Sequence, residues 1–598
     1  MSTMTAAANR QKQIAEAEAL LGDTAAETGF AKGLYFGQYL SDRLPPYPNL
    51  TADARVNDLV AKVQSFCQET IDPVTIDAEE EIPPEVVSGL GRLGVLGACL
   101  PESCGGLGLS QTAYCRILEV LGGHCASTAL FVNAHHSIGP RALALFGTDE
   151  QKAQWIPKLA SGEWISAFAL TEPEAGSDAG NVQTMAQPTD DGSGYLLNGE
   201  KRYITNGAIA KALTVMARTP VPGSRETKVT AFLVTPEMKG FRITEDRMPK
   251  CGVRGTVTSR LAFRDMFVPQ ENVLGQLGKG LKIALTVLDY GRTTFGASCT
   301  GAAKYCLRRS IHHANTRRQF GETLGSFEMV KEKLAYMAGS VFAMEACAYQ
   351  TAALIDSGAD DYMLETAMLK VFATECLWRI INDTIQIHGG MAYFSDEPFE
   401  RMMRDARINM IGEGANDVLR AFIALVGMRE VGLELQGLVN AIKNPFGNFG
   451  KLGGFAARRI GAMLLAPEVN VRTTELDDDA TTLGRLVGSF GSHIERLLRR
   501  YREDVLDRQL LLSRVADSAI ELYVSGCVLA RLDQLLRDAS ASPEERRAGL
   551  IAGRYYLKTA DRRVARHLAD LWDNDDVETA AIANSLLSKH RENGASVS

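Results

Sequence analysis

Phe168-Ala169-Leu170-Thr171-Glu172-Pro173-Glu174-Ala175-Gly176-Ser177-Asp178 lies where the chain changes character. Upstream, from Ala52 to about Gly162, apolar residues recur at helical intervals, as in Val56, Leu59, Val60, Val63 and Phe66. Downstream of Trp164 come short β-type runs, Ala212–Ala217, Val229–Val234 and Leu261–Phe267, punctuated by Gly, Pro and charge. Leu196-Leu197-Asn198-Gly199-Glu200 places an Asn-Gly pair after an apolar run and predicts a hairpin. Helix returns at Gly280, where Leu281, Leu285 and Leu288, then Ala297, Ala302 and Cys306, trace amphipathic segments that continue to about residue 430. The opening segment itself is headed by an aromatic residue and rich in small and hydroxyl side chains, so its backbone can lie against a flat ligand. A turn with two caps reads it equally well.

Helices, then β, then helices is an unusual layout, and the expected fold is mainly α. We read residues 1–50 as an extension ending at Leu44-Pro45-Pro46-Tyr47-Pro48, 51–164 as an N-terminal helical domain and 165–275 as an antiparallel, barrel-like β domain. Residues 276–430 form a helical bundle domain and 431–598 a further C-terminal helical domain. Lys443-Asn444-Pro445-Phe446-Gly447-Asn448 and Asp477-Asp478-Asp479 read as linkers. Beyond them Leu483, Leu486, Val487, Phe490, Ile494, Leu497, Leu498 and Tyr501 mark another amphipathic helix.

At 598 residues the chain is too long for one ordinary core. Hydrophobic residues at 45% and charged residues at 23% fit a soluble globular protein, and no run approaches ~18 uninterrupted apolar residues, the length a spanning helix needs. Glu16, Glu18, Asp23 and Glu27 fit neither a secretory signal nor an acid-poor transit peptide. The eleven cysteines contain no C-x-x-C pair, so neither zinc spacing nor a disulfide framework is expected, and no metal is. A reducing compartment follows: cytoplasmic, or the mitochondrial matrix if a presequence has been removed. Net charge is −8, and residues 481–598 hold 18 Lys plus Arg against 17 Asp plus Glu, so no nucleic-acid partner is expected.

Two more segments carry chemistry. Tyr203-Ile204-Thr205-Asn206-Gly207 ends a strand, and with Phe168–Thr171 it makes two strand ends able to clamp one planar ring; two exposed loop ends is the plainer alternative. Ile411-Gly412-Glu413-Gly414-Ala415-Asn416-Asp417 precedes a helical stripe of Val418, Leu419, Phe422, Ile423 and Val426, which puts Glu413 on a glycine-rich turn at a helix N-terminus. Free backbone N–H groups there can stabilise an oxyanion, and an apolar pocket raises a carboxylate towards the neutral pKa a general base requires. Complementing the helix dipole is the simpler role for such a glutamate.

Taken together and in this order, these three segments resemble the acyl-CoA dehydrogenase family. So do Arg317-Arg318-Gln319-Phe320-Gly321 and Gln386-Ile387-His388-Gly389-Gly390, and the likeness runs from about residue 50 to 430. The C-terminal domain, Phe30-Ala31-Lys32-Gly33 and Lys443–Asn448 resemble the very-long-chain subgroup. The resemblance implies FAD as cofactor, with Phe168, Leu170, Thr171, Tyr203 and Thr205 around the flavin. Arg317, Gln319, Phe320, Gln386 and Gly390 would reach the adenosine-diphosphate half of the FAD of a neighbouring subunit, making the protein a homodimer. Ser177, Asp289, Arg292 and Gly414 match substrate-side positions. Relatives that place the base on the helix after Gly280 carry a glutamate at the position of Gly291, so Glu413 is left as the matching base.

The implied chemistry is α,β-dehydrogenation of a long-chain fatty acyl-CoA to the trans-2-enoyl-CoA, with electrons passed to an electron-transferring flavoprotein. Around Thr128–Ala134 the bulky acid that closes shorter pockets is missing. There are departures from the family pattern: Tyr203 replaces the usual tryptophan, Ala415 a threonine and His388 an apolar residue, and Ala392-Tyr393 interrupts a Gly-aromatic pair after Met391. His388 is expected as a packed core histidine, and His135-His136 receive no role. Residues 449–465 combine Lys451, Arg458 and Arg459 with Phe449, Leu452, Phe455, Ile460 and Leu464. Such a helix lies peripherally on an inner-membrane surface or docks on the protein itself. The rival functions are a non-catalytic assembly protein on this fold and a dehydrogenase or oxidase for an unusual acyl thioester.

Overall fold

The computed structural model describes residues 28–443 and 466–592. The first helix, α1 (Phe30–Tyr35), precedes α2 (Ala54–Thr70), α3 (Pro73–Glu79), α4 (Pro84–Arg92), α5 (Gln111–His124) and α6 (Ala126–Val132). A π-helical turn, Asn133–Ile138, leads into α7 (Gly139–Phe146) and α8 (Asp149–Ser161). Local chemistry sets these boundaries. Asp53 accepts hydrogen bonds from the backbone N–H groups of Arg55 and Val56 at the start of α2, and Thr148 with Gln151 closes a capping box on α8. Val63, Val86, Leu90, Ile117, Leu118 and Leu121 form the shared core of α2, α4 and α5.

The middle of the chain is an eight-stranded sheet: β1 (Ser166–Ala169), β2 (Met185–Pro188), β3 (Gly194–Thr205), β4 (Ala212–Thr219), β5 (Lys228–Val234), β6 (Phe241–Glu245), β7 (Thr258–Pro269) and β8 (Val273–Leu274). The order is β6-β7-β3-β2-β4-β5-β8, with β1 paired parallel to β4. One expectation fails here. Asn198-Gly199 is not a hairpin turn, because β3 runs straight through it and the register with β7 shifts between Leu197 and Gly199. The pair is a bulge: Asn198 donates from Nδ2 to Asp265 Oδ1 (2.9 Å) and accepts from the Asp265 N–H (2.9 Å). A Cβ on Gly199 would lie 2.4 Å from Thr184 Oγ1, so the glycine serves a close approach rather than a reversal.

Helix α9 (Gly280–Thr316) crosses the molecule, and a two-stranded ribbon, β9 (Arg318–Gln319) with β10 (Glu322–Thr323), follows it. Then come α10 (Glu328–Asp356), α11 (Met363–His388), α12 (Phe399–Arg407) and α13 (Asn416–Lys443). The last four helices are α14 (Asp477–Tyr501), α15 (Gln509–Arg537), α16 (Pro543–Asp570) and α17 (Asp576–Glu592). Asp477, Asp478 and Asp479 are therefore not a linker but the first turn of α14, where their charges face the positive end of the helix dipole. The stretches 444–448 and 449–465 lie outside the described residues.

One apolar core is shared by α9–α13 and α14–α16. Residues 30–35 belong to it too, so this part of the expected extension is interior. The Tyr35 ring meets Phe490 edge-on at 5.1 Å, and its hydroxyl donates to the Ile423 carbonyl (2.8 Å). A Cβ on Gly427 would fall 2.1 Å from that ring. Helix α1 is thus wedged between α13 and α14.

Candidate active site

Glu413 precedes α13 on a turn in which it and Gly414 both have left-handed backbone, at φ 55° and 99°. Non-glycine residues pay for that conformation, and two buried donors hold it here. Lys370, on α11, donates from Nζ to the Gly414 carbonyl (2.7 Å) and to Asn416 Oδ1 (2.8 Å). Arg292, on α9, donates from Nε to the Glu413 carbonyl (3.3 Å) and from Nη1 to Asp289 (3.0 Å). Asp289 also accepts from Thr366 Oγ1 (2.8 Å), and burial lifts its carboxyl to about 6 against the pull of Arg292.

The Glu413 carboxylate is enclosed. Oε1 accepts one hydrogen bond, from Asn133 Nδ2 (2.9 Å), and Oε2 is buried with no partner. Burial pushes the carboxyl up to about 7, with Arg292 and Lys370 opposing it. A Cβ at position 291 would stand 2.9 Å from Oε2, so Gly291 leaves room in front of the unpartnered oxygen. The arrangement is a carboxylate poised between its two protonation states at neutral pH, with one oxygen free to take a proton.

The two strand ends are also brought together. The Arg202 N–H donates to the Thr171 carbonyl (2.9 Å) and Lys201 Nζ to the Leu170 carbonyl (3.0 Å). Phe168 is buried, Thr171 and Thr205 are half-buried, and Tyr203 sits at φ 61° with its ring 55% exposed. Lys201 and Glu172 form a buried ion pair (2.6 Å), and Glu172 also accepts from Thr184 Oγ1 (2.6 Å) and the Gln183 and Thr184 N–H groups. Segment 131–137 ties these strand ends to Glu413: Asn206 donates to the Phe131 carbonyl (3.3 Å), the Ser166 N–H donates to His135 Nδ1 (3.1 Å), and Asn133 reaches the carboxylate.

A third group lies on the surface. The His313 and His388 rings stack at 4.4 Å, bringing the end of α9 beside the end of α11. Arg317, Gln319 and Phe320 therefore share a face with Gln386 and Gly390, all exposed, and Phe320 is 93% so. His388 is buried against Phe399 (4.5 Å) as a packing residue, and His135 and His136 are buried on backbone partners. Ser177 is exposed on the loop that follows Glu172. Sequence reasoning missed Asn133, Lys370 and the Glu172–Lys201 pair; Glu172 stood inside the quoted segment, flanked by the strand that carries Lys201.

Comparison with known proteins gives the same ordering. Family descriptions match along the chain in sequence: "Acyl-CoA dehydrogenase, N-terminal domain" over 54–163, "middle domain" over 167–266 and "C-terminal domain" over 278–427. Human very long-chain specific acyl-CoA dehydrogenase is 38% identical over 522 residues, 85% of this chain and 79% of that protein. The chain belongs to the acyl-CoA dehydrogenase family. A fourth description, "ACAD9/ACADV, C-terminal domain", covers 474–592 and places the extra helices with the very-long-chain homologues. The Mycobacterium tuberculosis probable acyl-CoA dehydrogenase FadE10 is 31% identical over 97% of this chain and 92% of its own. Among solved structures, an acyl-CoA dehydrogenase complexed with FAD from Bacillus anthracis superposes with TM-score 0.78 at 26% identity, covering 95% of both chains. Acyl-CoA dehydrogenases are FAD-dependent oxidoreductases, and this one is an enzyme of fatty acid oxidation. No helix among the described residues is long and apolar enough to cross a membrane.

Proposed function

We propose that the enzyme dehydrogenates long- or very-long-chain fatty acyl-CoA to the trans-2-enoyl-CoA, with Glu413 as the base and electrons leaving to an electron-transferring flavoprotein. The observation that carries the reading is the Glu413 carboxylate: enclosed, lifted to about 7, and offering an unpartnered Oε2 into the gap left by Gly291.

The residues present fit FAD. The joined ends of β1 and β3 offer an aromatic face at Tyr203 and hydroxyls at Thr171 and Thr205, and nothing stands within 4 Å of where a Cβ on Gly176 would be. Phe168, Leu170, Thr171, Tyr203 and Thr205 would hold the flavin, which supplies a hydride acceptor for the β-hydrogen. Glu413 takes the α-proton on Oε2. Asp289, Arg292, Gly414 and Ser177 face the substrate side, and the Asp289–Arg292 pair keeps the turn from relaxing when the carboxylate is neutralised. Arg317, Gln319, Phe320, Gln386 and Gly390 would reach the cofactor of a second copy, so the enzyme acts as a homodimer.

A cavity of about 680 Å³ reaches Phe295, one helical turn along α9 from Gly291. Its lining combines apolar Ala129, Leu130, Ala302 and Leu377 with charged Glu119, Lys304, Arg308 and Arg401, and the apolar part offers room for an extended acyl chain. The test is anaerobic mixing of the yellow protein with palmitoyl-CoA, beside Glu413→Gln. Bleaching of the oxidised flavin band in the native enzyme alone is expected; equal bleaching in the variant refutes the base, and no bleaching in either refutes the substrate class.

A further inference from the structure

Asn133 opens the π-helical turn between α6 and α7, 280 positions from Glu413 in sequence, and it makes the single hydrogen bond that the Glu413 carboxylate accepts from a described side chain. Its own orientation is determined. Asn133 Oδ1 accepts from Ser137 Oγ (2.6 Å) and from Thr294 Oγ1, both buried hydroxyls. Thr294 has one proton to share among Asn133 Oδ1 and the backbone, so the amide is oriented chiefly by its other neighbour. An ionised Glu413 carboxylate only accepts, which turns Nδ2 towards Oε1 and leaves Oδ1 to the hydroxyls. The carbonyls of Tyr290 (3.1 Å) and Gly291 (3.0 Å) on α9 compete for the same Thr294 proton and keep its hydroxyl beside the amide.

The consequence is an asymmetric carboxylate. Oε1 is occupied and aimed by an amide fixed on two helices, while Oε2 is left bare in front of Gly291. We infer that Asn133 is a positioning residue for the base, clamping Oε1 so that Oε2 alone meets the substrate α-proton, with Ser137 and Thr294 fixing the amide. This rests on the reading of Glu413 as base. A neutral donor suits the task better than a cation: it favours the ionised form modestly without trapping it, whereas Arg292 on α9 and Lys370 on α11 spend their hydrogen bonds on carbonyls of the turn. Of the titratable groups that act on Glu413, the Cys299 thiol is pushed up to about 12 by burial and stays neutral. Burial lowers the Lys370 ammonium to about 8, so the acid limb is the part of the profile that reports on Glu413.

The experiment compares native enzyme, Asn133→Leu and Ser137→Ala, each FAD-loaded, in single-turnover flavin bleaching by saturating palmitoyl-CoA from pH 6 to 9. Leucine keeps the volume and removes the donor. A hydrogen bond to a charged group is worth about one to two pKa units, so the acid limb of the rate profile should move up by about one unit in Asn133→Leu. A shift from about 7 to about 8 lowers the ionised fraction at pH 7 from one half to about one eleventh, so the rate there should fall about five-fold. Ser137→Ala, which loosens the amide without touching Glu413, should shift the limb the same way by less. An unmoved acid limb in Asn133→Leu overturns the proposal, as does an equal fall at every pH. If Asn133→Leu fails to retain FAD, Ser137→Ala decides, an unmoved limb again overturning it. Glu413→Gln in parallel separates the two readings: residual bleaching there refutes the base itself, whereas a silent Glu413→Gln beside an unmoved Asn133→Leu limb refutes the clamp alone.

Discussion

The Glu413 carboxyl titrates near 7 because enclosure penalises its charge more than Arg292 and Lys370 favour it. Its folded pKa lies above its unfolded one, so protonation stabilises the fold: the contribution is complete below the usual carboxylate pKa and is lost as pH rises through about 7. With Glu413 as the proposed base, activity runs the other way, since only the ionised form accepts a proton. The bleaching rate should therefore rise about ten-fold per unit below pH 7 and level off above it, a profile that stopped-flow measurement against pH reads directly. The glycine-rich turn that carries Glu413 was legible from Gly412-Glu413-Gly414 before a helical stripe, whereas the role of base came from the family resemblance. Asn133 and Lys370 were not, because each meets the turn across the fold and no local pattern marks an asparagine or lysine that points inward.

Helix α9 shows how an element trades its own regularity for the site. Gly291 sits in its interior, where glycine costs about 1 kcal/mol against alanine. The missing methyl is the space in front of Glu413 Oε2. Gly291→Ala should leave the melting temperature unchanged or slightly raised, because the end of a long side chain can shift away. Displacing that end by about 1 Å should cost about a hundred-fold in bleaching rate with FAD still bound; an unaffected rate would mean the gap has no part in the reaction. Periodicity located the long elements, since core spacing is a strong signal over many turns. It misread two short ones: Asn198-Gly199 suits a type I′ turn as well as a bulge, and only the partner strand at Asp265 decides. The acidic run at 477–479 looks like a linker until the helix that follows uses it as a first turn.

At the scale of the whole molecule, the exposed face at the ends of α9 and α11 carries Phe320, Tyr393 and Phe394, a cluster of aromatic surface that a second copy would cover. Phe320→Asp should convert a dimer to monomers in sedimentation and release FAD, while leaving the helical signal intact; a dimer that persists with FAD bound would place the interface elsewhere. The C-terminal helices are not an appendage by comparison, because Arg420, on α13, bridges Glu375 and Asp517 (both 2.7 Å) and so joins the catalytic bundle to α15.

The wedge made by α1 has a bearing on how the chain is made. Phe30 and Tyr35 leave the ribosome hundreds of residues before the rings that receive them, Tyr523 and Phe490. At the usual pace of translation, α1 waits for these two rings for roughly 25–100 s. During that interval the side of α1 that packs on α14 and α15 is open to chaperones. Full burial of this hexapeptide therefore reports that α14 and α15 have arrived, and a nascent chain stalled before Phe490 would leave one side of it bare as a mark of incompleteness.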